Sequence, residues 1–203
     1  MKRWVLAVVA VLVIALPTVH AADKGTNALQ ASLKKQVAGT KALSKKVQGF
    51  VNSKLIPLTS NGVFVTSVEA QNAKKVALTE IQAIDKKWIG AEEELPIQKE
   101  VMSNGCAQEL IKHVKALPAV KEAFVMDDQG AVVCENALTS DYWQGDEAKW
   151  QKSFNGGKGG VDAGKIKFDK SANANLQQVS LPIIGKGGKV IGAVTFGLSI
   201  DQL

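Results

Sequence analysis

The chain has 203 residues and a formal net charge of +6, with 25 Lys and Arg against 19 Asp and Glu. That length suits one domain with a hydrophobic core of its own. Arg3 is the only arginine, and nucleic-acid binders concentrate arginine on their basic patches, so we discount nucleic acid as a partner.

The first 21 residues have the three parts of a secretion signal. Lys2 and Arg3 precede an apolar run over residues 4–16. The segment Val19-His20-Ala21 follows and ends in a small residue, as a cleavage site does. The run is shorter than the roughly 20 residues that a transmembrane helix needs. We therefore expect a signal peptide over residues 1–21, cleaved at its end, and a periplasmic product; retention as a membrane anchor is the alternative.

Residues 22–65 are predicted to form a basic helical extension. Between Leu29 and Val51, apolar residues recur at spacings of three, four or their multiples, with lysines between them. Residues 22–60 hold seven lysines and one acid, Asp23. Such a helix packs on its own domain, forms a homodimer or lies on an anionic membrane, and the sequence leaves all three open.

Two more helices are predicted before any strand. Thr66-Ser67-Val68-Glu69 has the spacing of a capping box, and the amphipathic helix that follows ends at Gly90. Pro96 suits the first turn of the next helix, which bends near Asn104-Gly105 and ends before Pro118. His113, the only histidine after residue 21, is expected on the surface of that helix.

The remaining chain is predicted to form a five-stranded antiparallel sheet with one short helix, which makes the fold class α+β with long N-terminal helices packed on the sheet. Residues 123–126 and 131–134 form a β-hairpin around Asp127-Asp128-Gln129-Gly130. The short helix begins beyond Ser140 or Asp141 and ends at Phe154. The other strands are expected at residues 165–168, 177–184 and 190–200.

The last strand has one bulky and one small-residue face. Val194, Phe196 and Leu198 alternate with Ala193, Thr195, Gly197 and Ser199. Small residues leave room beside a sheet, so we expect an open concavity there that is suited to a small molecule.

Cys106 and Cys134 are the only cysteines, and both lie in the exported part. Oxidising conditions outside the cytoplasm favour a disulfide between them, and two buried thiols are the alternative. Their spacing is not that of a redox or haem-attachment motif.

The order of elements resembles the extracytoplasmic PAS-like sensor domains called Cache domains. The resemblance covers residues 66–203 and rests on Ala123–Gly130, Thr139–Glu147 and Ile191–Gly197. It implies a single Cache domain that binds a metabolite and presents it to a membrane receptor or histidine kinase. Since the chain ends at Leu203 after the last strand, we expect a free-standing domain, and the arginine motif of amino-acid-binding relatives is missing.

The resemblance places the wall of the pocket after the second strand. Aromatic and acidic side chains concentrate there and favour a cationic or amine-bearing ligand. The alternative is that the tryptophans are core anchors and the acids favour a helix N-terminus. The candidate ligand-binding residues are Asp141, Tyr142, Trp143, Asp146, Glu147, Trp150 and, on the third strand, Asp169.

We therefore predict a periplasmic sensor that binds a small molecule. No catalytic residues, metal or cofactor are predicted, because no nucleophile–base set or metal-ligand spacing can be assembled. The alternatives are a non-catalytic dimerisation or interaction module that works through the basic helix, and an enzyme of unrecognised type.

Overall fold

A computed structural model describes residues 23–169 and 173–203. The predicted signal peptide at residues 1–21 lies outside them. The helices in the described ranges are α1 (Lys24–Gly39), α2 (Lys45–Phe50), α3 (Gly62–Ala73), α4 (Leu78–Ile89), α5 (Pro96–Ser103), α6 (Gly105–Ala116) and α7 (Ala148–Phe154). The strands are β1 (Val120–Met126), β2 (Val132–Glu135), β3 (Asp162–Ala163), β4 (Lys167–Asp169), β5 (Ala174–Ile184) and β6 (Val190–Ser199).

The strands form one antiparallel sheet in the order β2-β1-β6-β5-β3, with β4 also paired to β5. With β3 and β4 taken as two pieces of one edge strand, this is the 2-1-5-4-3 order of a PAS-like sheet. The α+β class and PAS-like sheet are confirmed, but the described residues form six strands where five were predicted. The predicted strand at residues 165–168 corresponds to β4, and β3 is an additional strand before it. Between the two, the Gly164 carbonyl accepts a hydrogen bond from the Gln177 side chain.

The predicted N-terminal helix is also interrupted. α1 ends at Gly39, and the Ser44 hydroxyl accepts a hydrogen bond from the Val47 N–H to start α2. The apolar spacing continues across the interruption, because Val37 and Leu43 are both buried. After α2 the chain continues through a π-helical turn at Val51–Leu55 and a 3-10 turn at Ile56–Ser60.

The capping box at Thr66 is wrong. α3 starts at Gly62, and its N-cap is Asn61, whose side chain accepts the N–H groups of Val63 and Phe64. Thr66 lies inside the helix and donates its hydroxyl hydrogen to the Gly62 carbonyl. The single helix predicted from Thr66 to Gly90 is also wrong, because residues 74–77 separate α3 from α4 and Lys75 has a φ of +50°. The predicted boundaries at Gly90, after α4, and at Asn104, between α5 and α6, are confirmed.

The Cys106–Cys134 disulfide is formed and ties the start of α6 to β2. β2 continues the predicted hairpin, whose turn uses Gly130 at a φ of +87°, a value that favours glycine.

The main core lies between the N-terminal helices and one face of the sheet. Residues 24–60 contribute fully buried side chains to the same cluster as the central strands, so this layer is part of the domain's packing. The cluster includes Leu33, Val37, Leu55, Phe64, Leu110, Val125, Leu181, Val194 and Phe196. The opposite face of the sheet is covered by α7.

Candidate functional site

The small-residue face of β6 is closed by the protein's own side chains. Trp150 packs on Phe124, Met126 and Ala193, and the space beside Gly197 holds the Glu122 side chain. All ten residues of β6 are buried. The expected open concavity is therefore wrong, because longer side chains from β1 and α7 fill the room that the small residues leave.

A polar row crosses this face of the sheet. The register pairs Glu135 with Phe124, Phe124 with Thr195, and Thr195 with Ser180, so the four side chains share one side. The Ser180 and Thr195 hydroxyls are 2.8 Å apart and satisfy each other. Glu135, at the outer end of the row, is completely buried.

Only one carboxylate oxygen of Glu135 has a partner among the described residues. Its Oε2 accepts the Thr139 N–H at 3.0 Å, whereas Oε1 is buried without a hydrogen bond. Burial raises the pKa of this carboxyl from 4.5 to about 7, the Thr139 hydrogen bonds lower it, and the Asp141 charge raises it further. A buried acid without a cation partner is costly to keep charged.

Gln144 and Asp141 extend this polar group. The Gln144 Nε2 donates to Asp141 Oδ1 at 2.7 Å and to the Asp141 carbonyl at 3.0 Å. Gln144 is completely buried, and its Oε1 has no hydrogen-bond partner in the described structure. The Thr139 hydroxyl also donates to the Asp141 carbonyl, which links Glu135, Asp141 and Gln144 into one set; we call these three residues the acceptor cluster.

Helix α4 holds the segment that carries this cluster. Asp85 Oδ1 accepts the N–H groups of Tyr142 and Trp143 at 2.8 and 2.9 Å. The Trp88 indole N–H donates to the Thr139 carbonyl at 2.9 Å. Residues 139–143 are thus fixed between α4 and the edge of β2, where the Tyr142 carbonyl accepts the Val132 N–H.

The predicted aromatic residues do not meet in one cage. Tyr142 packs with Trp88 in a smaller hydrophobic cluster formed by α4, α5 and β2. Trp143 and Trp150 donate their indole hydrogens to the carbonyls of Gln129 and Asp127, and the Trp150 ring stacks on Phe154. These contacts fix both tryptophans to the β1–β2 turn.

The other predicted acids lie apart from the cluster. Asp146 is exposed, and Glu147 precedes α7 without a capping hydrogen bond from its side chain and forms a 3.1 Å ion pair with Lys149. The Lys149 ammonium also lies 5.2 Å from the centre of the Phe124 ring. Asp169 ends β4 at the opposite edge of the sheet from β2.

Cavities also open elsewhere in the described part of the chain. One of about 360 Å³ lies among α3, α4, α5 and β2, and Tyr142 forms part of its wall. One of about 560 Å³ lies between the end of α3, the end of α7 and the β5–β6 loop. Among residues 23–169 and 173–203, no three His, Cys, Asp or Glu side chains are placed to hold a metal ion.

Glu135 and Gln144 are site residues that the sequence did not indicate. A glutamate at a strand end is ordinarily solvated, and nothing in the local pattern shows that residues 139–144 fold back over it. The pairing of Glu135 with Phe124, an inward-facing residue of the predicted hairpin, is the one signal that could have revealed its burial.

Several solved structures of sensor domains are similar to this chain. The V. cholerae histidine kinase DctB sensor domain has 13% identity and a TM-score of 0.39 over 87% of this chain and 58% of that one. The Campylobacter jejuni chemoreceptor Tlp3 domain in complex with 4-methylisoleucine has 12% identity and a TM-score of 0.36, over 87% and 61%. The Pseudomonas aeruginosa PAO1 amino acid chemoreceptor PctC domain in complex with GABA has 11% identity and a TM-score of 0.38, over 71% and 58%.

The similar structures are Cache-type sensor domains. This is the same class of domain that the sequence resembles. The fold of this chain is assigned from its own strand order. The chain spans about 60% of the length of these structures, between 58 and 61%. No protein-family model and no curated protein sequence matches it. No helix in the described part of the chain is long and apolar enough to cross a bilayer.

Proposed function

We propose that the chain is an exported, non-catalytic sensor domain that binds a small molecule with an amine or other cationic N–H donor at the acceptor cluster. The observation that carries this proposal is that two of the four buried, unpartnered side-chain oxygens of the described residues, Glu135 Oε1 and Gln144 Oε1, belong to this cluster. Buried polar atoms in folded proteins are nearly always hydrogen-bonded, so each of these two requires a donor.

The chemistry of the cluster favours a donor with positive charge. Glu135 and Asp141 form no ion pair in the described structure, and both unpartnered atoms are acceptors. An ammonium or guanidinium group would satisfy them and offset the cost of burying a carboxylate. The Phe124 ring beside Glu135 already faces one ammonium group, that of Lys149, so this side of the sheet accommodates a cation.

The same reasoning assigns different roles to the predicted residues. Asp141 belongs to the proposed site, while Trp143 and Trp150 support it through the β1–β2 turn. Asp146, Glu147 and Asp169 are not needed for it. The protein would act in the periplasm after loss of residues 1–21 and report ligand binding to a membrane receptor or histidine kinase.

A thermal-shift screen of residues 22–203 tests this function. Small amines are compared at pH 7.5 with carboxylic acids of the same carbon skeleton that lack the amine. A ligand that binds the folded state raises the melting temperature, by an amount set by its concentration relative to Kd. We expect shifts with amines only, and their loss in Glu135→Gln and Asp141→Asn.

Two variants serve as controls. Glu93→Gln removes an exposed carboxylate and should leave the ligand-induced shift unchanged. Ala70→Phe narrows the 360 Å³ cavity and should also leave it unchanged. If Ala70→Phe abolishes the shift while Glu135→Gln keeps it, the ligand binds in that cavity and our site is wrong.

A further inference from the structure

The outer surface of the N-terminal helical layer carries charge of one sign. Residues 24–60 contain seven lysines and no acid, and all seven lysines are exposed. None of them takes part in an ion pair within the described residues. They are Lys24, Lys34, Lys35, Lys41, Lys45, Lys46 and Lys54.

The inner face of this layer is already used. Leu33 and Val37 of α1 are completely buried in the main core, as are Leu55 and Ile56. An interfacial membrane helix inserts its apolar stripe into the lipid, and α1 has no such stripe to offer while the domain is folded. Any apolar contact with a partner at this surface must come from another element.

An exposed apolar pair on the edge of the sheet supplies it. Ile166 is 53% and Phe168 is 60% exposed. The register pairs Phe168 with Asn175, which shares a face with Val179 of the main core, so Phe168 lies on the side of the sheet where the N-terminal helices pack.

One side chain joins the loop after α1 to the chain just before the apolar pair. One nitrogen, Gln177 Nε2, donates to the carbonyls of Ala42 and Gly164 at 2.9 Å each. Lys41 precedes the first of these residues, and Lys165 follows the second. We call the seven exposed lysines together with Ile166 and Phe168 the basic–apolar surface.

Charge decides which partner this surface suits. One alternative is that exposed lysines near an edge strand serve only to prevent pairing with a strand of another molecule. That role does not explain why two large apolar side chains, Ile166 and Phe168, are exposed beside them. A second copy of the chain would bring like charges together. Asp169 and Asp201, which border the apolar pair, are too few to balance the lysines of residues 24–60.

We propose that the basic–apolar surface binds peripherally to an anionic phospholipid bilayer. The lysines contact the lipid phosphates, and Ile166 and Phe168 enter the headgroup region. Each lysine near an anionic membrane contributes roughly a fivefold increase in partitioning. This proposal is independent of ligand binding at the acceptor cluster.

Vesicle co-sedimentation of residues 22–203 tests the proposal, with phosphatidylcholine vesicles that contain or lack phosphatidylglycerol. We expect binding only when phosphatidylglycerol is present, and weaker binding at higher salt. Lys34→Gln with Lys35→Gln should reduce partitioning about 25-fold, and Phe168→Ser about fivefold.

Matched variants on α4 serve as controls. Lys86→Gln with Lys87→Gln removes two exposed lysines, and Ile89→Ser removes a side chain that is 63% exposed; both should bind as the unmodified chain does. Equal binding to both vesicle types, or equal weakening by the α4 variants, overturns the proposal. So does a dimer in sedimentation velocity that Phe168→Ser dissociates, because the occupant is then a second copy. Binding to heparin without binding to the anionic vesicles overturns it as well.

Discussion

Glu135 on β2 lies directly opposite Phe124 on β1, so a completely buried carboxyl and an aromatic ring share one side of the sheet. This pairing explains why the carboxyl is hard to ionise. The ring and the returning segment at residues 139–144 exclude water from it, and it forms no ion pair with a cation of the described residues. A buried titratable group in this position links the stability of the fold to pH and the affinity of the site to ligand charge.

The free energy of unfolding should fall as the pH rises from 4.5 to about 7. The pKa of Glu135 is about 7 in the folded protein and near 4.5 when unfolded, so in this range the folded state holds one proton more. The loss of unfolding free energy from Glu135 is on the order of 3 kcal/mol. Burial also raises the pKa of Asp127, from 3.8 to about 6, so Asp127 adds a further loss of stability at lower pH values. Urea unfolding at pH 5 and pH 8 measures it.

Glu135→Gln separates the contribution of Glu135 from that of Asp127. A glutamine can still accept the Thr139 N–H but never ionises, so the variant should match the unmodified chain at pH 5 and exceed its stability at pH 8. Glu93→Gln, at an exposed position, should follow the unmodified chain at both pH values. An unchanged pH profile in Glu135→Gln would show that this carboxyl is not the group responsible.

Asp85→Ala should loosen the segment that covers the acceptor cluster. It removes the carboxylate that accepts the N–H groups of Tyr142 and Trp143. Hydrogen bonds to charged groups contribute about 1.5–3 kcal/mol, so we expect a loss of that size and faster hydrogen exchange at these two amides. Asp146→Ala, at an exposed position in the same region, should change neither. Unchanged protection of the two amides in Asp85→Ala would contradict this role.

The helix boundaries that were predicted correctly from the sequence are marked by residue types that commonly end or begin helices. Asn104 separates α5 from α6 because its side chain accepts the Ala107 N–H and caps α6. The end of α4 at Gly90 was also located, although Gly90 has a φ of −90°, which any residue can adopt. The break at Thr40–Ser44 was missed, since buried apolar residues continue on both sides and periodicity alone cannot reveal it.

The site was harder to predict than the fold. Small residues on β6 indicated space, but whether space stays open depends on side chains from other elements, here Trp150 and Glu122. The resemblance to Cache domains directed attention to residues 139–154, whose aromatic and acidic composition supported it, and Asp141 belongs to the proposed site. Glu135 was missed because its burial comes from chain that returns over it four to nine residues later.

Replacing both Cys106 and Cys134 by serine should lower the free energy of unfolding by about 3 to 4 kcal/mol. The bridge joins residues 28 apart and so restricts the unfolded chain. Urea unfolding of the serine variant measures the loss, and added reductant should not change its midpoint. A midpoint equal to that of the oxidised unmodified chain would mean that the disulfide contributes little.

Gly25→Ala should destabilise the fold, whereas Gly39→Ala in the same helix should not. A Cβ at residue 25 would overlap the carbonyl oxygen of Gly187, because the start of α1 packs backbone to backbone on the β5–β6 loop. Asp23 fixes this contact by accepting the Gly187 N–H at 2.7 Å. We expect a loss of about 1–3 kcal/mol, as for other overpacked positions.

Nothing lies within 4 Å of a Cβ at Gly39, so alanine there should be neutral or stabilise by up to about 1 kcal/mol through helix propensity. Thermal unfolding of the two variants in parallel measures the difference, and equal melting temperatures would show that α1 does not require this close approach.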